Sequence, residues 1–279
     1  MSRPVVLVTG ASRGIGRATA VEFAKAGFDV AITARTVREG EGRVKARTGS
    51  DEVSVPGSLE SARDELASHG ATVATIRMDL LNLAEVESVA DQVVAELGRL
   101  DVCVNNAYAQ TEGNMDKLLD IKFADAEAMW RGNFLHQIAL TRTVVPHMLA
   151  GGGGTFINII SGSAYLDPPK PAGEGGWGLS YAASKAAFGR LAGMVNAEFG
   201  PQGVRAFNLD PGFVITESGV ARGGTEKVAE HTATNPPQVP ARAAVWLSTA
   251  EESAAHLGTR VQSVQVVADL EAGRTPRPS

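Results

Sequence analysis

The chain has 279 residues, enough for a large core, and a composition of 44% hydrophobic and 20% charged residues excludes disordered and fibrous architectures. With 26 basic and 31 acidic residues the formal charge is −5, which gives no electrostatic ground for nucleic acid or an anionic membrane as a partner. The only cysteine, Cys103, excludes an intrachain disulfide, and its setting in LDVCVNNA reads as a buried strand thiol. No apolar run reaches the length of a membrane span, and MSRP passes directly into VVLV without the apolar core of a signal peptide, so a cytoplasmic protein is expected.

Residues 4–9 (PVVLVT) form an apolar, β-branched run, followed by GASRGIG and then by helical apolar spacing through Ile15, Ala18, Phe23 and Ala24. This is strand, glycine turn, helix. Gly27 closes the helix and DVAIT supplies the next strand, which makes a parallel, right-handed βαβ unit. Gly10, Gly14 and Gly16, with Ser12, Arg13 and Ile15 between them, would let a pyrophosphate approach the backbone amides at the start of that helix. The competing reading is a tight turn that merely needs glycine.

Where an NAD-preferring fold places a carboxylate for the ribose 2′-hydroxyl, this chain has Ala34 and Arg35. Arg35 and Arg13 suit a 2′-phosphate through guanidinium forks, unless both are solvated surface residues. Residues 36–57 show no period and read as an extended surface loop whose Arg38, Arg43, Lys45 and Arg47 form a solvated charge run. A helix over SLESARDELASHG has Ser58 or Ser61 as N-cap, and the next strand ends at Asp79, an acceptor for the adenine amino group or an N-cap. Helix LAEVESVADQVVAELG then leads to strand LDVCVNNA, which leaves the sheet at Asn105 and Asn106, the edge where open α/β sheets bind ligands.

A long helical pattern over 124–149 carries Asn133 in its interior, either exposed or kept for a hydrogen bond. Strand TFINIIS ends in Ser161. Residues 166–179 (LDPPKPAGEGGWGL) are too rich in Pro and Gly for a regular element and read as a lid with Trp177 as its large apolar anchor, or as a passive surface excursion. The helix after them holds Tyr181 and Lys185. At i, i+4 both side chains leave one face, so an ammonium would stand near a phenol and bring its pKa toward neutrality; an ordinary amphipathic surface pair has the same spacing. GVRAFNLDPGFVIT makes a sixth strand leaving through Pro211 and Gly212. Residues 217–240 form a polar second loop, RAAVWLSTAEES a helix, TRVQSVQVV a last strand, and 271–279 a flexible tail. No repeat or second core is visible, so one domain is expected over residues 1–279. The five histidines (His69, His136, His147, His231, His256) lack ligand spacing, and no metal is expected.

These residues together resemble the short-chain dehydrogenase/reductases. TGASRGIG at 9–16 is similar to that family's TGxxxGxG motif, NNA at 105–107 (with Ala107) to NNAG, Asn133 to its helix asparagine, YAASK at 181–185 to YxxxK and PGFVIT at 211–216 to PGxxxT. The resemblance implies an α/β fold, a single doubly wound Rossmann-type domain with a seven-stranded parallel sheet flanked by helices, and hydride transfer between nicotinamide and a carbonyl or secondary alcohol. It implies Tyr181 as general acid or base, Lys185 on the nicotinamide ribose, Ser161 on the substrate oxygen and Asn133 behind a relay water. Val214 and Thr216 would hold the carboxamide, and Arg13 with Arg35 resemble the NADP-preferring members. A homotetramer or dimer through the long helices is also implied. Tyr108 departs from the family by replacing the glycine of NNAG, and Ser163 is a neighbour that competes with Ser161 for its assignment.

The leading expectation is an NADP-dependent oxidoreductase acting on a bulky apolar small molecule, with substrate choice in loops 166–179 and 217–240. A 3-oxoacyl thioester reductase of lipid metabolism is a rival within enzymes. A non-catalytic NADP-binding sensor or scaffold is the rival of another class.

Overall fold

The computed structural model describes residues 3–45, 52–223 and 233–278. Strands run as β1 (Val5–Thr9), β2 (Asp29–Ala34), β3 (Arg43–Lys45), β4 (Glu52–Ser54), β5 (Val73–Arg77), β6 (Val102–Asn105), β7 (Gly154–Ile159), β8 (Val204–Asp210), β9 (Phe213–Val214), β10 (Thr234–Asn235) and β11 (Arg260–Gln262). Helices are α1 (Gly14–Lys25), α2 (Leu59–Ser68), α3 (Leu83–Leu97), α4 (Phe123–Trp130), α5 (His136–Ala150), α6 (Leu179–Phe199), α7 (Glu217–Arg222), α8 (Gln238–Thr249) and α9 (Ser263–Glu271).

Seven strands form one sheet in the order β11-β8-β7-β6-β1-β2-β5, every neighbouring pair parallel. The expected doubly wound Rossmann-type sheet is therefore present. Its central strands β1, β2, β6 and β7 are almost wholly buried because both faces are covered, whereas the edge strand β5 alternates buried and exposed positions. Val6, Val8, Val30 and Ile32 point to one core with α1, α2, α8 and α9, whereas Val5, Leu7, Ala31 and Cys103 point to the other with α3, α5 and α6. From β1 the chain builds outward through β2 to β5, then returns across β1 to build β6, β7, β8 and β11. The order reverses between β1 and β6, and a ligand crevice lies at their carboxyl ends, where Thr9 and Asn105 leave the sheet.

The last strand is shorter than expected. β11 holds three residues, and SVQVVADLE turns into α9 with Ser263, Val266 and Val267 buried at helical spacing while Val264 faces solvent. The tail after it folds back, burying Pro276, whose carbonyl lies 3.2 Å from His256 Nε2, and pairing Arg274 with Asp269 at 2.6 Å. The loop 36–57 contains the antiparallel pair β3–β4, in register Arg43↔Ser54. The long helix around Asn133 is interrupted by one π-helical turn, Arg131–Leu135, between α4 and α5. Arg47, His231 and residues 224–232 of the stretch expected to be a second substrate loop lie outside the described residues.

Candidate active site

The crevice is built first from backbone. Gly10 and Gly14 take φ of +69° and +58°, left-handed values that favour glycine. At Gly16 a Cβ would stand 2.5 Å from Asn106 Nδ2 and closer still to the Gly10 carbonyl oxygen. Asn106 fills that space, donating to the carbonyls of Thr9 (2.8 Å) and Gly10 (3.2 Å). The Thr9 hydroxyl accepts from the amides of Asn106 and Ala107, each at 3.0 Å, and donates to the Val104 carbonyl. The glycine turn of β1 and the exit of β6 are thus one rigid cradle. Arg13 N-caps α1 without a side-chain bond and no acidic side chain lies in its first turn, although the Gly14 amide is bonded from elsewhere in the chain, to Glu217 Oε2 at 3.0 Å. Ser12 is buried and Ile15 half-buried beside them. A turn with no room for a Cβ at Gly10 or Gly16, leading into a helix N-terminus, fits a dinucleotide pyrophosphate.

The two arginines separate in role. Arg13 donates to the carbonyls of Pro56 (2.8 Å) and Gly57 (2.6 Å) and to Thr36 Oγ1, tying the loop after β4 to the glycine turn. Arg35 is exposed and has no hydrogen bond or ion pair among the described residues. It stands close enough to Arg13 for their charges to oppose. Arg35 is therefore the guanidinium open to a phosphate. Asp79 turns Oδ1 onto the Leu81 amide at 2.9 Å, while the N-cap of α3 falls to Asn82. Ser58 caps α2 in a reciprocal capping box with Ser61.

On the other wall, Lys185 is 7% exposed and its Nζ donates to the Ile159 carbonyl at the end of β7, 2.8 Å away. It also lies over the rings of Tyr108 (5.1 Å) and Phe188 (5.5 Å). The half-buried Tyr181 lies near Ser161 and Ser163, whose hydroxyls act against the rise of its phenol. Ser163 donates to Ser161 Oγ at 3.1 Å. The edge of the Tyr108 ring meets that of Tyr181 at 5.5 Å between centroids, placing the bulky replacement of the motif glycine against the tyrosine. Asn133, in the π-helical turn, uses both ends of its amide on Ala109, accepting its N–H at 2.7 Å and donating to its carbonyl at 3.1 Å.

The electrostatics differ from the expectation that Lys185 lowers the phenol. Burial pushes Tyr181 above its ordinary range, helped by the charge of Asp210 and opposed by the bonds from Ser161 and Ser163. Burial also brings Lys185 down to about 8, with Asp210 opposing. Asp210 is 4% exposed, accepts from the Gly212 amide at 3.0 Å and takes the forked guanidinium of Arg260, Nε at 2.8 Å. Neither member of this pair was marked by sequence reasoning, because an Asp before Pro-Gly reads as turn chemistry and Arg260 lies 50 residues on.

A stability prediction follows from Lys185. Its folded pKa of about 8 lies below the ~10.4 of an unfolded lysine. Between these values the unfolded chain binds more protons, so this group's contribution to stability rises with pH through that window. At pH 7 the buried ammonium opposes folding by on the order of 3 kcal/mol, and by about pH 10.5 the term has largely gone. Lys185→Met should therefore stabilise the protein at pH 7 and lose most of that gain near pH 10, measured by denaturant titration at both pH values. An equal gain at both would contradict a depressed Lys185.

The segment after Pro211 carries Val214 in β9, paired with Asn235 of β10, and Thr216 as N-cap of α7. Residues 166–178, expected as a lid, precede α6. Gly178 abuts the Asn114 carbonyl, Glu174 pairs with Lys117 at 2.7 Å, and Trp177 has a buried Nε1 without a partner. Among the described residues no group of three or more His, Cys, Asp or Glu side chains is placed to hold a metal. No helix of the described residues is long and apolar enough to cross a membrane.

Comparison with known proteins agrees with this architecture. The family described as short chain dehydrogenase matches residues 4–57 and 53–227. The short chain dehydrogenase mpl6 of Monascus purpureus is 32% identical over 257 residues, covering 89% of this chain and 76% of that protein. A metagenomic short-chain oxidoreductase solved in complex with NADP superposes with a TM-score of 0.70 at 26% identity, covering 94% of this chain and 98% of the other. A 7α-hydroxysteroid dehydrogenase solved with NADH and 7-oxo glycochenodeoxycholic acid shares the fold, with a TM-score of 0.76, 24% identity and coverage of 100% and 96%.

Proposed function

We propose, since this chain belongs to the short-chain dehydrogenase family, that it is an NADP(H)-preferring oxidoreductase of a bulky carbonyl or secondary alcohol. The observation that carries the reading is the half-buried phenol of Tyr181, near Ser161 and Ser163 and one helical turn from buried Lys185, in a chain that also holds the glycine cradle at the exit of β1. When bound, the nicotinamide supplies or accepts the hydride.

The chain's residues do the rest. The cradle of Gly10, Ser12, Gly14, Ile15 and Gly16 binds the pyrophosphate, with Asn106 and Ala107 behind it and Asp79 at the adenine end. Pro211, Gly212, Val214 and Thr216 orient the carboxamide. Ser161 donates to the substrate oxygen, Ser163 supports Ser161, and Tyr181 delivers or removes the proton at that oxygen. Lys185 holds the ribose, and its ammonium, once drawn off the Ile159 carbonyl, would lower the phenol. Asn133 fixes the β6 exit through Ala109, beside the path by which a water would link Lys185 to solvent. The Pro/Gly-rich lid with Trp177 suits a bulky apolar substrate. Exposed Phe123, Trp130 and Leu135 along α4 and α5 support an oligomer through these helices.

The reading is tested by following NADPH fluorescence with a panel of ketones graded from small to polycyclic, with a 3-oxoacyl thioester as a separate arm. Consumption of NADPH with large free ketones is expected. Tight NADPH binding without hydride transfer to any member would identify a non-catalytic binder instead. For cofactor choice, Arg35→Ala should weaken NADPH by on the order of tenfold and leave NADH nearly unchanged, because the lost guanidinium meets only the 2′-phosphate. Equal losses for both would remove Arg35 from that role.

A further inference from the structure

One anionic group reaches the cradle from the chain itself. Glu217 Oε2 accepts the Gly14 backbone N–H at 3.0 Å, and Gly14 is the first residue of α1. That helix has no side-chain cap and no acid in its own first turn, so this carboxylate arrives from a segment 203 residues away. Thr216 packs beside it: its Cγ2 would be 3.1 Å from a Cβ at Gly14, and Glu217 Oε2 3.7 Å. Glu217 also lies within electrostatic reach of Arg13. It is the first residue of α7, which packs against β3 and β4 and reaches the β6 exit loop through Arg222 on Gln110 at 2.7 Å.

We infer that Glu217 is an affinity-determining residue for the dinucleotide, its carboxylate standing on the α1 amide that the pyrophosphate needs, so that the cofactor binds by displacing it. The inference rests on the proposed dinucleotide site. Two anions do not share one amide: the pyrophosphate brings its own charge to the positive end of α1, and the exposed Glu217 carboxylate exchanges the Gly14 N–H for water.

The test is a fluorescence titration of the full-length protein with NADPH and, separately, NADH, for wild type and Glu217→Gln. Gln keeps the size and an acceptor oxygen but loses the charge. Both cofactors should bind about fivefold more tightly to the variant, by the same factor, because the pyrophosphate is common to them. Unchanged or weaker binding of both would overturn the inference, since Glu217 would then be a supporting cap. Tightening of NADPH alone would also overturn it, by placing the effect at the 2′-phosphate through Arg13. If wild type bound neither cofactor, the dinucleotide reading itself would fail. Glu217→Ala, titrated in parallel with a thermal melt, separates displacement from damage: tighter binding by a protein with an unaltered melting temperature is the expected result.

Discussion

Tyr181→Phe is expected to reduce turnover by on the order of 10³-fold while leaving NADPH affinity within about twofold. Phenylalanine keeps the ring that stacks edge-on against Tyr108 and removes only the hydroxyl near Ser161 and Ser163. The cradle is made by other residues, so binding should survive. The loss should lie in kcat, because the proton is transferred only as the hydride moves. Steady-state rates with a reactive ketone, beside a fluorescence titration of NADPH, check it. Near-full turnover would remove Tyr181 from the chemistry. A parallel loss of NADPH binding would show the hydroxyl supporting the cofactor site instead.

Gly16→Ala should be the most damaging single methyl in the crevice. The added Cβ would meet the Gly10 carbonyl and Asn106 Nδ2, neither of which is the free end of a flexible chain. Asn106 is held by Thr9 and Gly10, so relief of the clash would have to open the cradle. A destabilisation of roughly 3 kcal/mol is expected, with NADPH binding weakened more than tenfold. Gly193→Ala is the control: it lies in α6 with nothing within 4 Å of its Cβ position, and there alanine should stabilise by about 0.5–1 kcal/mol. Denaturant unfolding of both variants decides. A Gly16→Ala protein as stable as wild type would mean that the β1 turn is far softer than its hydrogen bonds imply.

The sheet and the site's backbone were legible for a common reason: strands buried on both faces are unbroken apolar runs, and glycines in the first βα turn have few other uses. Helical spacing accounts for Tyr181 and Lys185 sharing one side of α6, but an ordinary amphipathic pair has the same spacing, and only the surrounding motifs single this one out. Where two periods compete, reading failed. Val264 and Val266 fit strand alternation whereas Ser263, Val266 and Val267 fit helical spacing, and packing against α8 decided for α9. Strands of three residues, such as β3 and β4, carry no period at all. Pairs made across long separations were invisible, above all Asp210 with Arg260 and Glu217 with Gly14, since no local pattern records which charge will meet which amide. The direction of the Tyr181 shift was missed for another reason: spacing predicts a near neighbour, but burial and the orientation of Lys185 toward Ile159 determine the sign.

The clamp of Asn106 on Thr9 and Gly10 joins positions 97 and 96 residues apart. The two halves of the cradle complete each other, so an N-terminal fragment ending before Asn106 would lack the proposed pyrophosphate site, however well its first βαβ unit formed. During synthesis the chain is unliganded until β6 has docked beside β1, and that docking requires most of the central sheet. Cofactor affinity and global folding are therefore one cooperative quantity. A cell's nicotinamide pool would act on this protein as a ligand that protects the whole fold from unfolding and degradation, and not only as a reactant.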